Sequence, residues 1–527
     1  MQKNIQPLIY ALLLAGGILG GYFLSALSGK QTTFQSSGPG KIDEVIQYAY
    51  DNYVDSIGYD ALVDDAIAGM LEKLDPHSVY ISKAELEGVN DQLSGSFEGI
   101  GVQFRIESDT IIVIDPIANG PSARQGVMPG DRIVKVDGKN VAGIGIDNDK
   151  VMKLLKGPKG TKVVLSIYRR GVKGLRDYTI TRDVIPLNSL DAAFMIDRST
   201  GYIKLNAFSS STYDEFLDAM HKLLPQGMTN LILDLRDNGG GYLDYAVDIA
   251  DDFLPSGNTI VYTQGLHRKE KFYKSHSDGL FESGKLVVLI DEFSASASEI
   301  VAGAIQDNDR GLIIGRRSFG KGLVQEQHEL NDGSAFRLTV ARYYTPSGRC
   351  IQRPYEAGYE EYYLDFYKSL TLNDSAAREY NLKKNDSLVF RTTKGRAVYG
   401  GGGIIPDSLV LHDYTMSASF QNGLFSSGKL FEFIFQYVDA NRKLLKAAYP
   451  DIKTFSARFQ VPADLMNKVY QSGGINPETT SAQDKLMGEA FVKAGIAREL
   501  FGTEGYYQII LLQDNMVKKA RQYFKAN

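Results

Sequence analysis

Between Lys285 and Gln325 the chain reads KLVVLIDEFSASASEIVAGAIQDNDRGLIIGRRSFGKGLVQ, and no other stretch constrains the fold as tightly. An apolar run ends in a Ser-rich turn and passes into an amphipathic helical pattern with Ile300, Val301, Ala304 and Ile305 on one face. A second apolar run, GLIIG, leads to a lysine bracketed by Gly320 and Gly322. Strand, helix and strand in that order predict a βαβ unit, which sets a serine at a helix N-terminus opposite a lysine on a neighbouring strand. The free N–H groups and positive dipole end of such a helix suit an oxyanion. A lysine buried among apolar groups gives up its proton more readily and can serve a serine as base. Ser294, Ser296 and Ser298 alternate with alanine, and the residues alone do not choose among them. Ser-x-x-Glu ending at Glu299 is also the pattern of a helix capping box. The spacing Gly315-x4-Gly320-Lys321 imitates a phosphate-binding loop, but Gly322 stands where that loop needs Ser or Thr, and strand-like LVQEQHEL comes next instead of a helix.

The rest of the composition removes competitors. A net charge of −5 argues against a nucleic-acid partner. Cys350 is the one cysteine, so no intrachain disulfide forms. The histidines at 77, 221, 267, 276, 328 and 412 fall in no metal-binding spacing, and neither metal nor cofactor is expected. From Asn4 to Gly29 there is no charged residue, and Pro7 to Leu27 matches the ~20 residues that span a bilayer. Residues 1–29 are therefore expected to be a signal anchor or a signal peptide, with the body outside the cytoplasm.

Composition shifts divide the remainder of the chain. Residues 30–93 combine a Ser/Gly/Thr linker with a helical region. Residues 94–183 hold short β-rich runs broken by Gly and Pro turns. Residues 184–409 alternate strand and helix, with a charged, aromatic extension over 356–398 in which Glu356 to Phe390 reads as irregular. Residues 410–527 read as helical. The expected fold is multidomain α/β: a mixed core, an inserted β-domain and helical N- and C-terminal regions.

The insert carries FEGIGVQF and then PSARQGVMPGDRIVKVDGKNV, with a turn at Pro129-Gly130-Asp131 and a hairpin turn at Asp137-Gly138. These marks resemble a circularly permuted PDZ domain of the kind found in bacterial proteases. The resemblance implies that an extended peptide pairs with a strand edge, its C-terminal carboxylate taken by N–H groups around Gly99, Ile100, Gly101 and Val102.

Taken with GMLEKLDPHSVY (69–80), GYIKLNAF (201–208), LILDLRDNGGGYL (231–243), SASASEIVAGAIQDN (294–308) and SFGKGLVQ (318–325), the chain resembles the C-terminal processing peptidases from about Lys41 to Asp407. The resemblance implies a crotonase- or ClpP-like βαβ core and a serine endopeptidase that needs no cofactor. It selects Ser296 as nucleophile, Lys321 as base and Gln325 as the residue holding the lysine, with Asp307 matching an acidic residue present in part of the family. It places the oxyanion at the N–H groups of Gly240 and Ala297, although this chain has Gly239 where the family pattern has proline. It further implies protein or peptide substrates with free C-termini and a bacterial envelope location, anchored in the inner membrane with the body in the periplasm. The helical C-terminus lies outside the shared core and is expected to serve a homo-oligomer contact or an adaptor. The rival reading, a catalytically silent PDZ scaffold, calls for the loss of Ser296, Lys321 or the glycine loop, and all are present.

Overall fold

The computed structural model describes residues 40–526, apart from 118, 277, 373 and 412–415. The apolar run expected to meet a membrane lies outside them. Among the described residues no helix is long and apolar enough to cross a bilayer. A first unit, up to Met70, consists of helix α1 (Gly40–Asn52) and most of α2 (Tyr59–Glu72), with Tyr50 edge-on to Tyr59.

The second unit opens on the DPHS turn. Asp75 takes the N–H groups of His77 and Ser78 and the Ser78 hydroxyl, a side-chain-closed turn that releases the chain into strand β1 (Val79–Ile81). Helix α3 (Lys83–Ser94) then stops at Gly95, which is left-handed at φ +67°; a Cβ there would lie 2.8 Å from the Ser209 hydroxyl oxygen.

An inserted domain comes next, closed off where β2 (Ser96–Gly99) pairs antiparallel with β8 (Asp183–Pro186). Between them β3 (Val102–Glu107), β4 (Thr110–Pro116), β5 (Arg132–Val136), β6 (Lys162–Tyr168) and β7 (Leu175–Thr181) form an antiparallel sheet in the order β3-β4-β5-β6-β7, so β3 is an edge. Helix α4 (Asn148–Leu155), capped by the Asp147 carboxylate, lays Val151 and Leu155 into a core with Ile111, Val113, Ile133, Val163 and Ile167.

The main core is a six-stranded sheet: β9 (Leu190–Met195), β10 (Thr200–Leu205), β11 (Asn230–Asp234), β14 (Lys285–Ile290), β15 (Leu312–Gly315) and β18 (Ser408–Leu409), in that order. Only β9 runs antiparallel. The crossovers are α5 (Thr212–Leu223), α6 (Leu243–Asp251) and α7 (Ala297–Asp307). A second sheet takes β1 together with β12 (Thr259–Gly265), β13 (Arg268–Lys274), β16 (Leu323–Glu329) and β17 (Ala335–Tyr344). The central strands read as unbroken apolar runs because both faces are covered. Phe216, Ile249, Ile300 and Val301 of the crossover helices cover one face. The other face, with Tyr202, Ile232, Val287 and Leu289, lies under α11 (Asn515–Ala526) through Met516, Val517, Ala520 and Phe524.

The segment 356–390 departs from its sequence reading. It holds helix α8 (Tyr359–Leu370), which buries Tyr362 and Phe366, an i, i+4 pair that its charged neighbours obscure in the sequence. Beyond β18, helices α9 (Lys429–Ala448) and α10 (Ala482–Ile510) build a separate core around Leu430, Ile434, Val438 and Val492.

Candidate active site

The three serines after β14 are chemically alike and structurally distinct. Ser294 is buried; its hydroxyl donates to Leu235 O at 2.8 Å and accepts from Asp291 N. Ser298 is also buried, and its hydroxyl donates to Asn238 O at 2.9 Å. Ser296 alone is partly accessible, at the N-cap of α7. Its φ of +55° and ψ of −113° are strained for a residue with a Cβ. Strain of this kind persists where surrounding structure enforces it, and here it turns a hydroxyl outward from an otherwise buried turn.

Glu299, three residues on, does the enforcing. Its carboxyl is fully buried and meets four donors. One oxygen accepts from the Ser318 hydroxyl at 2.5 Å and Gly320 N at 2.7 Å; the other accepts from Ser296 N at 2.9 Å and Lys321 N at 2.8 Å. The backbones of Ser296 and Lys321 thus converge on a single oxygen. Tyr343 repeats the tie on the opposite side, its hydroxyl donating to Lys321 O at 2.6 Å and lying 3.1 Å from Ser296 O. Burial pushes the Glu299 carboxyl up to about 7, against the pull of its hydrogen bonds.

Lys321 is held by its side chain as well. Its Nζ donates to Gln325 Oε1 at 3.0 Å, and Gln325 Nε2 donates to the carbonyl of His77, which fixes which way the amide faces. Among the described residues no hydrogen bond joins Lys321 Nζ to Ser296 Oγ. Burial, reinforced by Arg337, lowers the lysine to about 8, with Asp75 and Glu299 opposing. An amine titrating there is partly neutral near neutral pH, as a base must be. His77 has the opposite fate: burial first, then Lys321, pushes its imidazole down to about 3, with the ring 3.1 Å from the Tyr362 hydroxyl. So weak a base does not compete with the lysine.

The glycine loop of LRDNGGG comes up beside the serine. A Cβ on Gly240 would lie 2.8 Å from Ser296 Cβ and 3.0 Å from Ala297 N, so only glycine fits there. Ala297 N makes no hydrogen bond among the described residues and opens the helix. Gly240 N, however, donates to Asn238 Oδ1 at 2.9 Å, so its N–H is already engaged.

Asp307 is not part of this group. It ends α7, about 16 Å along the helix axis from Ser296 at 1.5 Å per residue. There it is buried against Arg349, 2.7 Å away, and accepts from the Ser347 hydroxyl at 2.6 Å. Its carboxylate is tied into this ion pair in the core and does not reach the serine.

In the inserted domain, Ile100 O accepts from Ser122 N and Oγ, and Gly101 O accepts from Ile117 N. The N–H groups of Ile100 and Gly101 make no hydrogen bond among the described residues. Gly101 is left-handed at φ +69°, and a Cβ there would press on Ile185 at 2.9 Å. Gly99 closes β2, and Val102 begins the edge strand β3.

Sequence reasoning missed Glu299, Tyr343 and the DPHS turn as parts of the site. For Glu299 the sequence offered the capping-box spacing alone; its carboxyl is buried because α7 is buried along its whole length, which the amphipathic pattern does not reveal.

Residues 199–358 match the model of peptidase family S41, residues 99–176 that of the PDZ domain, and residues 25–85 that of the N-terminal domain of the activating protease CtpB. Residues 420–502 match a family of unknown function. A carboxy-terminal-processing protease of Bartonella bacilliformis is 39% identical over 55% of this chain and 67% of its own length. The carboxy-terminal processing protease CtpA of Bacillus subtilis is 34% identical over 62% of this chain and 70% of its own. Among solved structures, the PDZ domain of a carboxy-terminal protease from Vibrio cholerae, in complex with peptide, is 38% identical over 18% of this chain and 99% of that one, with a TM-score of 0.16.

Proposed function

This chain belongs to the carboxy-terminal processing serine proteases, with an S41 peptidase domain and a PDZ domain, and from that premise we propose that Ser296 and Lys321 are its catalytic pair. The observation that carries the reading is the shared Glu299 oxygen, which holds the backbones of nucleophile and base side by side.

Neutral Lys321 donates one N–H to Gln325 Oε1, so its lone pair is left to accept the Ser296 proton. The Ser296 oxygen attacks the scissile carbonyl. The oxyanion is received by the N–H of Ala297 at the positive end of α7, and by that of Gly240 once it leaves Asn238. As the C–N bond breaks, the Lys321 ammonium returns its proton to the departing amine. Neutral Lys321 then takes a proton from water, whose oxygen attacks the acyl-enzyme; as the ester C–O bond breaks, the ammonium gives that proton to the Ser296 oxygen and the free enzyme is restored. Asp307 acts here as a core ion pair.

The PDZ domain captures substrate tails. The free N–H groups of Ile100 and Gly101 suit a carboxylate, and the unpaired edge of β3 suits an added strand. A bacterial envelope location with the body in the periplasm, anchored through residues 1–29, is supported by the apolar run of the N-terminus. Exposed Phe431, Leu444, Leu486 and Leu512 support a self-contact or an adaptor on the C-terminal helices.

The test is cleavage of an unstructured protein with an apolar C-terminal tail. The chain should degrade it, and Ser296→Ala and Lys321→Ala should each be inactive yet folded, the double variant no worse than either. Activity retained in Ser296→Ala with loss in Ser294→Ala would overturn the assignment.

A further inference from the structure

A second cation lies on the lysine side of the cleft. Arg337 stands on β17 opposite Gln327 of β16, and Gln325 stands opposite Thr339. Residues two apart on a strand share a face, so Gln325, Gln327, Thr339 and Arg337 form one polar patch on this hairpin, with Lys321 reaching its edge through Gln325. Arg337 Nε donates to Gln327 Oε1 at 3.1 Å, and Gln327 Nε2 donates to Asn90 Oδ1 of α3 at 3.0 Å, so the guanidinium is aimed by a two-step relay. Among the described residues its Nη2 is buried without a hydrogen-bond partner, as is the neighbouring Thr339 hydroxyl oxygen. Among the described residues no carboxylate neutralises Arg337; burial pulls its pKa below the ordinary arginine value, and the Tyr242 side chain opposes that. A guanidinium stays charged at any working pH, and burying part of it with no carboxylate to pair with is costly. The fold keeps that cost beside the one lysine that has to lose a proton.

We propose that Arg337 is a positioning residue for the base: its unpaired guanidinium repels the ammonium form of Lys321 and so favours the neutral amine that takes the serine proton. The inference rests on the Ser296 and Lys321 reading. The groups facing Lys321 sort accordingly. Asp75, from the turn before β1, and Glu299, from α7, favour the ammonium. His77 is neutral, and Tyr343 is kept un-ionised by burial. Burial and Arg337 act the other way, and together they prevail. A lysine beside a second cation is a known route to a neutral amine.

The experiment is kcat/KM for a short peptide against pH from about 6 to 10, for the wild type, Arg337→Gln and Arg337→Lys, with Ser296→Ala and Lys321→Ala beside them. Glutamine can keep the contact to Gln327 but carries no charge. The wild-type rate should rise with pH as Lys321 is deprotonated. In Arg337→Gln the rise should come about one pH unit higher, with roughly tenfold lower activity on the acid side and the same alkaline plateau. Arg337→Lys should follow the wild type. An Arg337→Gln profile lowered equally at every pH, with an unmoved midpoint, would assign Arg337 to folding or substrate contact and overturn the inference alone, as would a profile identical to wild type. Activity in Ser296→Ala or Lys321→Ala would overturn the catalytic reading and the inference together. If Arg337→Gln does not fold, Gln327→Leu, which frees the guanidinium without removing it, should raise the midpoint by a smaller amount; an unmoved midpoint there overturns the inference equally.

Discussion

Helix α7 has a buried carboxylate at each end, and the two are bound in opposite ways. Asp307 at the C-terminal end meets a buried arginine and two hydroxyls. Glu299 at the N-terminal end meets a hydroxyl and three backbone N–H groups, with no cation among its hydrogen-bond partners. An ion pair of the first kind fastens the helix to the chain just after β17. The second kind holds two loops at a set spacing and brings no side-chain cation into the cleft. A buried acid near a nucleophile is therefore to be judged by what donates to it and not by its distance in sequence. Asp307 was the acid the sequence suggested for the site, and Glu299 is the acid the site is built on.

The contrast is undone most easily at Glu299. In Glu299→Gln one carboxylate oxygen becomes an NH2 that faces either Gly320 N or the pair Ser296 N and Lys321 N, so in both orientations the loop carrying Lys321 meets a donor against a donor and must shift. A shift of about 1 Å should cost on the order of 10²-fold in kcat/KM, measured on protein shown to be folded by thermal melting. Near-normal turnover would mean that the clamp sets nothing. The other end should respond in stability. Asp307→Asn leaves Arg349 buried beside a neutral group, at a cost of roughly 3 kcal/mol in urea unfolding, while the midpoint of the pH–rate profile stays where it is. A moved midpoint with unchanged stability would reverse the roles assigned to the two ends. The smallest effects belong to the flanking serines. Ser298→Ala removes one buried hydroxyl contact and Ser294→Ala at least two, about 1 kcal/mol for each, and both should keep turning over peptide, which distinguishes them from Ser296→Ala.

The α/β core was legible because its strands and helices obey their periods. LILDLRD and KLVVLID read as buried strands, and EIVAGAI reads as a helix, from residue type alone. The mixed architecture is implied by that alternation, and the inserted PDZ domain by the resemblance that its glycine-marked hairpins carry. The site was legible only in part. Resemblance, and no local pattern, singled out Ser296; its two neighbours differ in burial, which depends on where β11 and its glycine loop pass. Gln325, too, was named through the family resemblance of SFGKGLVQ, and its partner is a carbonyl at His77, far away in sequence. Arg337 gave no signal at all: an arginine in an alternating strand looks like an outward-facing residue until the partner strands are known. The segment around Tyr362 and Phe366 was read as irregular because its aromatic pair is interrupted by charge, and it packs against residues supplied elsewhere, Phe319 and His77 among them.

Helix α11 has a bearing on the order in which the molecule is completed. The parallel strands it covers are finished by Gly315, but the helix itself begins about 200 residues later, at Asn515. A chain emerging from its N-terminus therefore carries a sheet with one bare apolar face while the whole C-terminal helical domain is still being made. Until that helix arrives, Tyr202, Ile232, Val287 and Leu289 have only water or a chaperone to lie against. The strands that lead to Ser296 and to the glycine loop therefore gain their cover on that face only when the last helix of the described residues has been made.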